Sequence, residues 1–174
     1  LRFGNYSYFS NSRFASKIEV APVVFNNRLY VIFRHSERGL VVLQSSTGLL
    51  NSWELPFSGA VLSENTSAGV TATTSGNKLV FSFTGLTTRK VYVKEATAGF
   101  GSGLIWQGSQ HVLGAYSKEK PDIISNNNGY MVLAYKGKRS SRIYTMRHLG
   151  NAWQNHGSLP APRTSKGLGL ISFN

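Results

Sequence analysis

Three short stretches of the chain carry the residue types from which a binding chemistry could be built. The richest is Lys136-Gly137-Lys138-Arg139-Ser140-Ser141-Arg142, with four cations around one glycine. Upstream, Arg34-His35-Ser36-Glu37-Arg38-Gly39 and Thr84-Gly85-Leu86-Thr87-Thr88-Arg89-Lys90 occupy comparable places. Guanidinium forks and ammonium groups suit carboxylates, sulfates and phosphates. The plainer reading is that hairpin tips are exposed and lysines are at home there. Trp53, Trp106 and Trp153 form a second set. Their faces would complement the C–H faces of pyranose rings, although one tryptophan per repeat serves equally well as packing between repeats.

Catalysis and metal binding find less support. Glu19, Glu37, Glu54, Glu64, Glu95, Glu119 and Asp122 are scattered, whereas glycoside hydrolysis in general needs two placed carboxyl groups. His35, His111, His148 and His156 show no metal-ligand spacing. No enzyme activity, metal or cofactor is therefore expected. Tyr6, Tyr8 and Phe9 beside Arg2 and Arg13 resemble the aromatic and basic mixture of single-strand nucleic-acid binders, and a strand with one buried face explains them as well.

The elements that position these residues recur along the chain. Tyr130-Met131-Val132-Leu133-Ala134-Tyr135 is apolar throughout, the pattern of a strand covered on both faces. Leu29-Tyr30-Val31-Ile32-Phe33 and Leu79-Val80-Phe81-Ser82-Phe83 are earlier copies, and Phe33, Phe83 and Tyr135 stand 50 and 52 residues apart. After each basic or polar turn comes a third strand: residues 40–43, 91–93 and 143–146. Ahead of each apolar strand lies another run, at 20–25, 70–73 and 122–124, joined to it by Asn- and Gly-rich turns. Asn and Gly tolerate the left-handed backbone that tight hairpins need. The tryptophans close the three units at spacings of 53 and 47, each on an expected fourth strand.

A period near 50 carrying four strands predicts an all-β fold, a β-propeller of four-stranded antiparallel blades. The units run over about 19–65, 66–117 and 118–163, with a further blade split between 1–18 and 164–174. One blade shared by both termini closes such a ring without free edges. The count fits a small ring, a half-propeller completed by a second chain, or a piece of a larger propeller. A sandwich or barrel is disfavoured, because its strands would keep one wet face and alternate more cleanly.

Bulk composition narrows the partners. Nineteen Lys and Arg against seven Asp and Glu give a formal charge of +12, which favours acidic glycans, nucleic acid or lipid headgroups. Cysteine is absent, so disulfides and thiolate metal sites are excluded. No segment approaches the roughly 18 apolar residues of a membrane helix. The chain begins on Leu1 without a signal-peptide pattern, as a processed protein or an excised fragment would.

These repeats resemble those of the sialidase-like, or BNR-repeat, β-propellers. Ala21-Pro22-Val23, Asn27-Arg28-Leu29-Tyr30-Val31-Ile32-Phe33-Arg34, Ser45-Ser46-Thr47-Gly48 and Trp53 carry the likeness. Asn77-Lys78-Leu79-Val80-Phe81-Ser82-Phe83-Thr84-Gly85 and Tyr135-Lys136-Gly137 repeat it. The family's Asp box is degenerate, with Thr47 in the aspartate's place. The resemblance implies that the turns between second and third strands share one ligand-binding face. Arg34, Arg38, Arg89, Lys90, Lys136, Lys138, Arg139 and Arg142 would then lie together, with Trp53, Trp106 and Trp153 as stacking platforms. The expectation is a non-enzymatic, secreted, lectin-like module for acidic glycans, with a glycosidase remnant and a polyanion or protein binder as alternatives.

Overall fold

The computed structural model describes residues 19–35, 39–45, 53–54, 61–101, 103–126, 129–149, 152–163 and 169–170. Arg38 and most of the expected split unit lie outside these residues. Every described element is a strand, and the strands form three consecutive antiparallel sheets of four or five. The first holds β1 (Ala21–Phe25), β2 (Arg28–His35) and β3 (Gly39–Ser45), with β4 (Trp53–Glu54) and β5 (Val61–Leu62) both paired to β3. The second repeats the plan with β6 (Thr66–Ser75), β7 (Lys78–Gly85) and β8 (Lys90–Ala98), and with β9 (Leu104–Trp106) and β10 (Gln110–Tyr116) on β8. The third runs β11 (Asp122–Ser125), β12 (Met131–Lys136), β13 (Arg142–Leu149), β14 (Ala152–Arg163).

Turn chemistry fixes the hairpins. Asn26 and Asn27, at φ 49° and 56°, make the two-residue β1–β2 turn, and Gly76, at φ 57°, opens the β6–β7 turn. Both are positions where most side chains would be strained.

The second sheet is buried on both faces. In β7, Leu79, Phe81 and Phe83 enter a core shared with Ile32, Leu40 and Val42 of the first sheet. Val80, on the opposite face, joins Ile123, Leu133 and Met146 of the third. Alternating residues of one strand thus feed two cores, the physical reason why apolar residues stand on both of its faces, interrupted only by the buried Ser82. The first strands form the seam: β6 packs against both β1 and β11. Thr71 Oγ1 donates to Pro121 O at 3.0 Å and accepts from Ile123 N at 3.2 Å, and Ser75 Oγ donates to Gly129 O at 3.1 Å. Farther along the chain, Leu170 N donates to Asp122 Oδ2, which ties residues 169–170 to the start of β11.

A charged contact locks the first sheet to the second. Lys94 Nζ, on β8, lies 2.6 Å from Glu64 Oε1, which also accepts from Ser109 Oγ at 2.5 Å. Burial opposes the charge on Glu64, but the hydrogen bonds from Lys94 and Ser109 outweigh it and hold the carboxyl below the usual carboxylate range. A lowered folded value means stability that is present above the unfolded pKa and is lost as pH falls through the folded one. Glu64→Gln is expected to cost about 2 kcal/mol at pH 7. The deficit should close below about pH 4, the ordinary glutamate range, in urea unfolding followed by circular dichroism. A deficit that did not change with pH would contradict this role.

Candidate ligand-binding cleft

The β12–β13 turn is built around a glycine that a ring must pass. Tyr135 and Tyr144 stand opposite one another in register and stack at 5.5 Å with planes 19° apart. A Cβ on Gly137 would fall 2.7 Å from Tyr144 Cε2 and 2.6 Å from Ser140 Oγ, so only glycine lets the ring lie over the turn. Gly137 N donates to Arg142 O at 3.1 Å and Ser140 N to Gly137 O at 3.3 Å, closing the turn on itself. Lys138 N donates to Tyr116 O at 2.9 Å and so pins the tip to the end of β10 in the second sheet.

A cleft of about 500 Å³ opens at this junction. Gly114 and Tyr116 contribute one wall, and Tyr135, Gly137, Lys138, Arg139, Ser140 and Tyr144 the other. Tyr116 is 40% exposed and offers its ring to the opening. Lys138 and Arg139 are exposed at the rim. Ser140 Oγ is buried and has no hydrogen-bond partner among the described residues. Burial, with the neighbouring Tyr144 adding to it, raises the Tyr135 phenol above its ordinary value, so it stays protonated. Behind Tyr116 an aromatic file runs inward: His111 lies 5.7 Å from Tyr116 and 5.7 Å from Tyr92, which stacks on Phe83 at 5.3 Å. Burial first, then the charge of Lys90, lowers the His111 pKa and keeps the imidazole neutral within the file.

The expected basic residues do not form three equal sites. Lys136, Lys138, Arg139 and Arg142 belong to this turn, with Lys136 Nζ 3.7 Å from Glu119 Oε1. Lys90 stands opposite Tyr116 in register, and Arg89 O accepts from Ser117 N at 2.9 Å, so these two flank the same junction from the second sheet. Arg34 sits opposite Leu40 in the first sheet, apart from the cleft. Among the described residues of the expected set, the cations are therefore concentrated where the second sheet meets the third. Charges from units about 50 residues apart converge because the outer strand of one sheet abuts the turn of the next.

The tryptophans lie at the other end of the sheets. Register sets Trp53 opposite Ser45, Trp106 opposite Ala96 and Trp153 opposite His148. Trp106 meets Phe81 edge-on at 5.4 Å and Trp153 meets His148 edge-on at 5.2 Å, and both pack against the cores. A second cleft of about 590 Å³ at that end is lined by Lys78, Glu95, Gln107, Ser109, Gln110 and His148, among others, and its Lys78–Glu95 pair, at 2.6 Å, balances its charge. The site residues that sequence patterning missed are Tyr116, Tyr144 and Ser140. The aromatic-x-Gly-x-x-Ser spacing of 135–140, repeated as Phe83 to Thr88, was the signal available.

Fold and cleft together define an all-β protein of three packed antiparallel sheets, each of four or five strands, with a basic groove between two of them. Among solved structures, the chain is similar to a variant of AofleA from Arthrobotrys oligospora, with a TM-score of 0.61 and 12% identity. That likeness covers 83% of this chain and 43% of the other, so the chain spans less than half of its length. No family model matches the chain, and no curated protein matches it.

Proposed function

We propose that the chain is a non-enzymatic, lectin-like module of the β-propeller type whose cleft at 137–140 binds acidic glycans. One observation carries the reading: Lys138, Arg139 and the exposed Tyr116 ring line one opening. Cations would take a carboxylate or sulfate and the ring an apolar sugar face. The sialidase-like resemblance of the repeats supports the same class. So does the AofleA likeness at the level of fold, in a variant with three evenly spaced arginines replaced by alanine.

Of the described carboxylates, Glu19, Glu64, Glu95 and Glu119 each lie within 4 Å of a lysine, which suits none of them to donate a proton. Burial raises the pKa of the Asp122 carboxyl, but it accepts from the backbone of Ile123 and Leu170 and does not line the cleft. In this reading the protein acts outside the cell, and the ring is closed by the unit split between 1–18 and 164–174, by a second copy, or by the rest of a longer propeller. Sedimentation analysis separates a second copy from a ring closed within one chain.

A glycan array read at low and at moderate salt tests the function. Binding to sulfated or sialylated glycans is expected to persist at moderate salt while neutral polymers stay weak. Uniform capture of every polyanion, nucleic acid included, with joint release by salt would replace the lectin reading with bulk electrostatics. Turnover of a fluorogenic sialoside would overturn the non-enzymatic assignment.

A further inference from the structure

We propose that the cleft of about 590 Å³ around the Lys78–Glu95 pair is a second ligand-binding site and that it takes adjacent hydroxyls of an uncharged sugar. None of the residues that line it belongs to the cleft at 137–140, so the inference stands apart from the acidic-glycan reading.

A gap in the outer edge of the second sheet makes room for the cleft. β9 ends at Trp106 and β10 begins at Gln110, both paired to β8, and residues 107–109 belong to neither strand. In the third sheet β14 runs from Ala152 to Arg163 with no such gap. Val93 and Glu95 stand two apart on β8 and so share a face, the one whose Val93 enters the core with Ile123 and Leu133 of the third sheet. From the third sheet, His148 of β13 supplies the facing wall. Gln107 N donates to Glu95 O at 2.8 Å, and Ser109 Oγ to Glu64 Oε1 at 2.5 Å, so both sides of the gap are tied down without a ligand.

The lining selects for neutral, hydroxyl-rich molecules. Lys78 Nζ donates to Glu95 Oε2 at 2.6 Å. An ammonium has three N–H groups and a carboxylate accepts at both oxygens, so each ion keeps capacity after pairing with the other. Two neighbouring hydroxyls match that remainder, one accepting from the ammonium while the other donates to the carboxylate. A sulfate would have to displace Glu95 from Lys78 and then lie against its charge, and a cation meets the same obstacle in Lys78. Gln107 and Gln110 are exposed at the rim with amides that both donate and accept. Burial lowers the His148 pKa, with Glu95 opposing and Lys78 adding to the effect, so the imidazole brings no third charge. Its ring, set edge-on to Trp153 at 5.2 Å, is a fixed aromatic wall.

A single small neutral ligand on such a surface binds in roughly the millimolar range, which agrees with a weak response of neutral polymers on an array. In ¹H–¹⁵N spectra, methyl glycosides of galactose, glucose, mannose and N-acetylglucosamine are titrated in turn. At least one is expected to shift the amides of Gln107, Gly108, Ser109 and Gln110 to saturation while those of 137–140 stay in place. Lys78→Met with Glu95→Gln keeps the shape and the net charge but removes both ions, and should weaken that binding at least roughly tenfold. Amides at 107–110 that no glycoside moves, or equal affinity in the folded double variant, overturn the site. Galactose 6-sulfate binding there more tightly than galactose overturns it as well. Sulfated oligosaccharides that fail at 137–140 while a neutral glycoside shifts 107–110 remove the acidic-glycan reading and support this site.

Discussion

Replacing Lys138 and Arg139 together by glutamate is expected to weaken binding of a sulfated or sialylated oligosaccharide by at least roughly 100-fold. A hydrogen bond to a charged partner contributes roughly 1.5–3 kcal/mol, and each 1.4 kcal/mol is about a factor of ten in affinity. Removing two such hydrogen bonds and setting repulsion in their place exceeds that bound. Both side chains are exposed, and only the backbone of Lys138 is tied down, through its bond to Tyr116 O. The thermal midpoint should therefore move little. The informative control is Arg28→Glu with Arg147→Glu, which removes the same charge from the opposite ends of β2 and β13. Beyond a Debye length of about 8 Å at physiological salt, such distant charges are largely screened. Calorimetry showing equal losses for the two double variants would reduce the cleft to one part of a diffuse positive field.

Phe81→Ala should damage the fold severely, at a cost of about 3–5 kcal/mol. Phe81 is fully buried in the middle of β7, meeting Trp106 edge-on at 5.4 Å and Phe83 at 5.7 Å. Its ring lies in the core between the first and second sheets, where β-strand backbones on both sides keep the walls from collapsing into the space left behind. For a chain of this size the loss corresponds to a midpoint lowered by roughly 6–20 °C. Val24→Ala supplies the contrast, since Val24 is 63% exposed on β1 and should shift stability by no more than about 0.5 kcal/mol. Urea unfolding followed by tryptophan fluorescence measures both, and a Phe81→Ala cost near that of Val24→Ala would show that the two sheets are not coupled through this core.

Much of the architecture was legible because strands announce themselves locally. The apolar runs at 20–25, 29–33, 79–83 and 130–135 correspond to β1, β2, β7 and β12, and the Asn and Gly turns between them lie where the backbone turns left-handed. The fourth strands were less legible. In the first two sheets they are broken into β4 with β5 and β9 with β10, while β14 runs unbroken over twelve residues. An outer strand pairs on one side only, so its hydrophobic pattern is weak and glycines such as Gly108 and Gly114 interrupt it without exposing a core.

By itself, the sequence determined the repeat, the order of strands in each sheet, and the turns that carry cations and glycine. Each follows from contacts between residues close along the chain, where period and turn chemistry act directly. Only the tertiary structure decided which turn meets which outer strand. It brought Tyr116 to Lys138, set Arg89 and Lys90 beside the third sheet's turn, and sent the tryptophans to the opposite end. Those neighbours depend on how one twisted sheet packs upon the next, a relation between surfaces that no local pattern encodes.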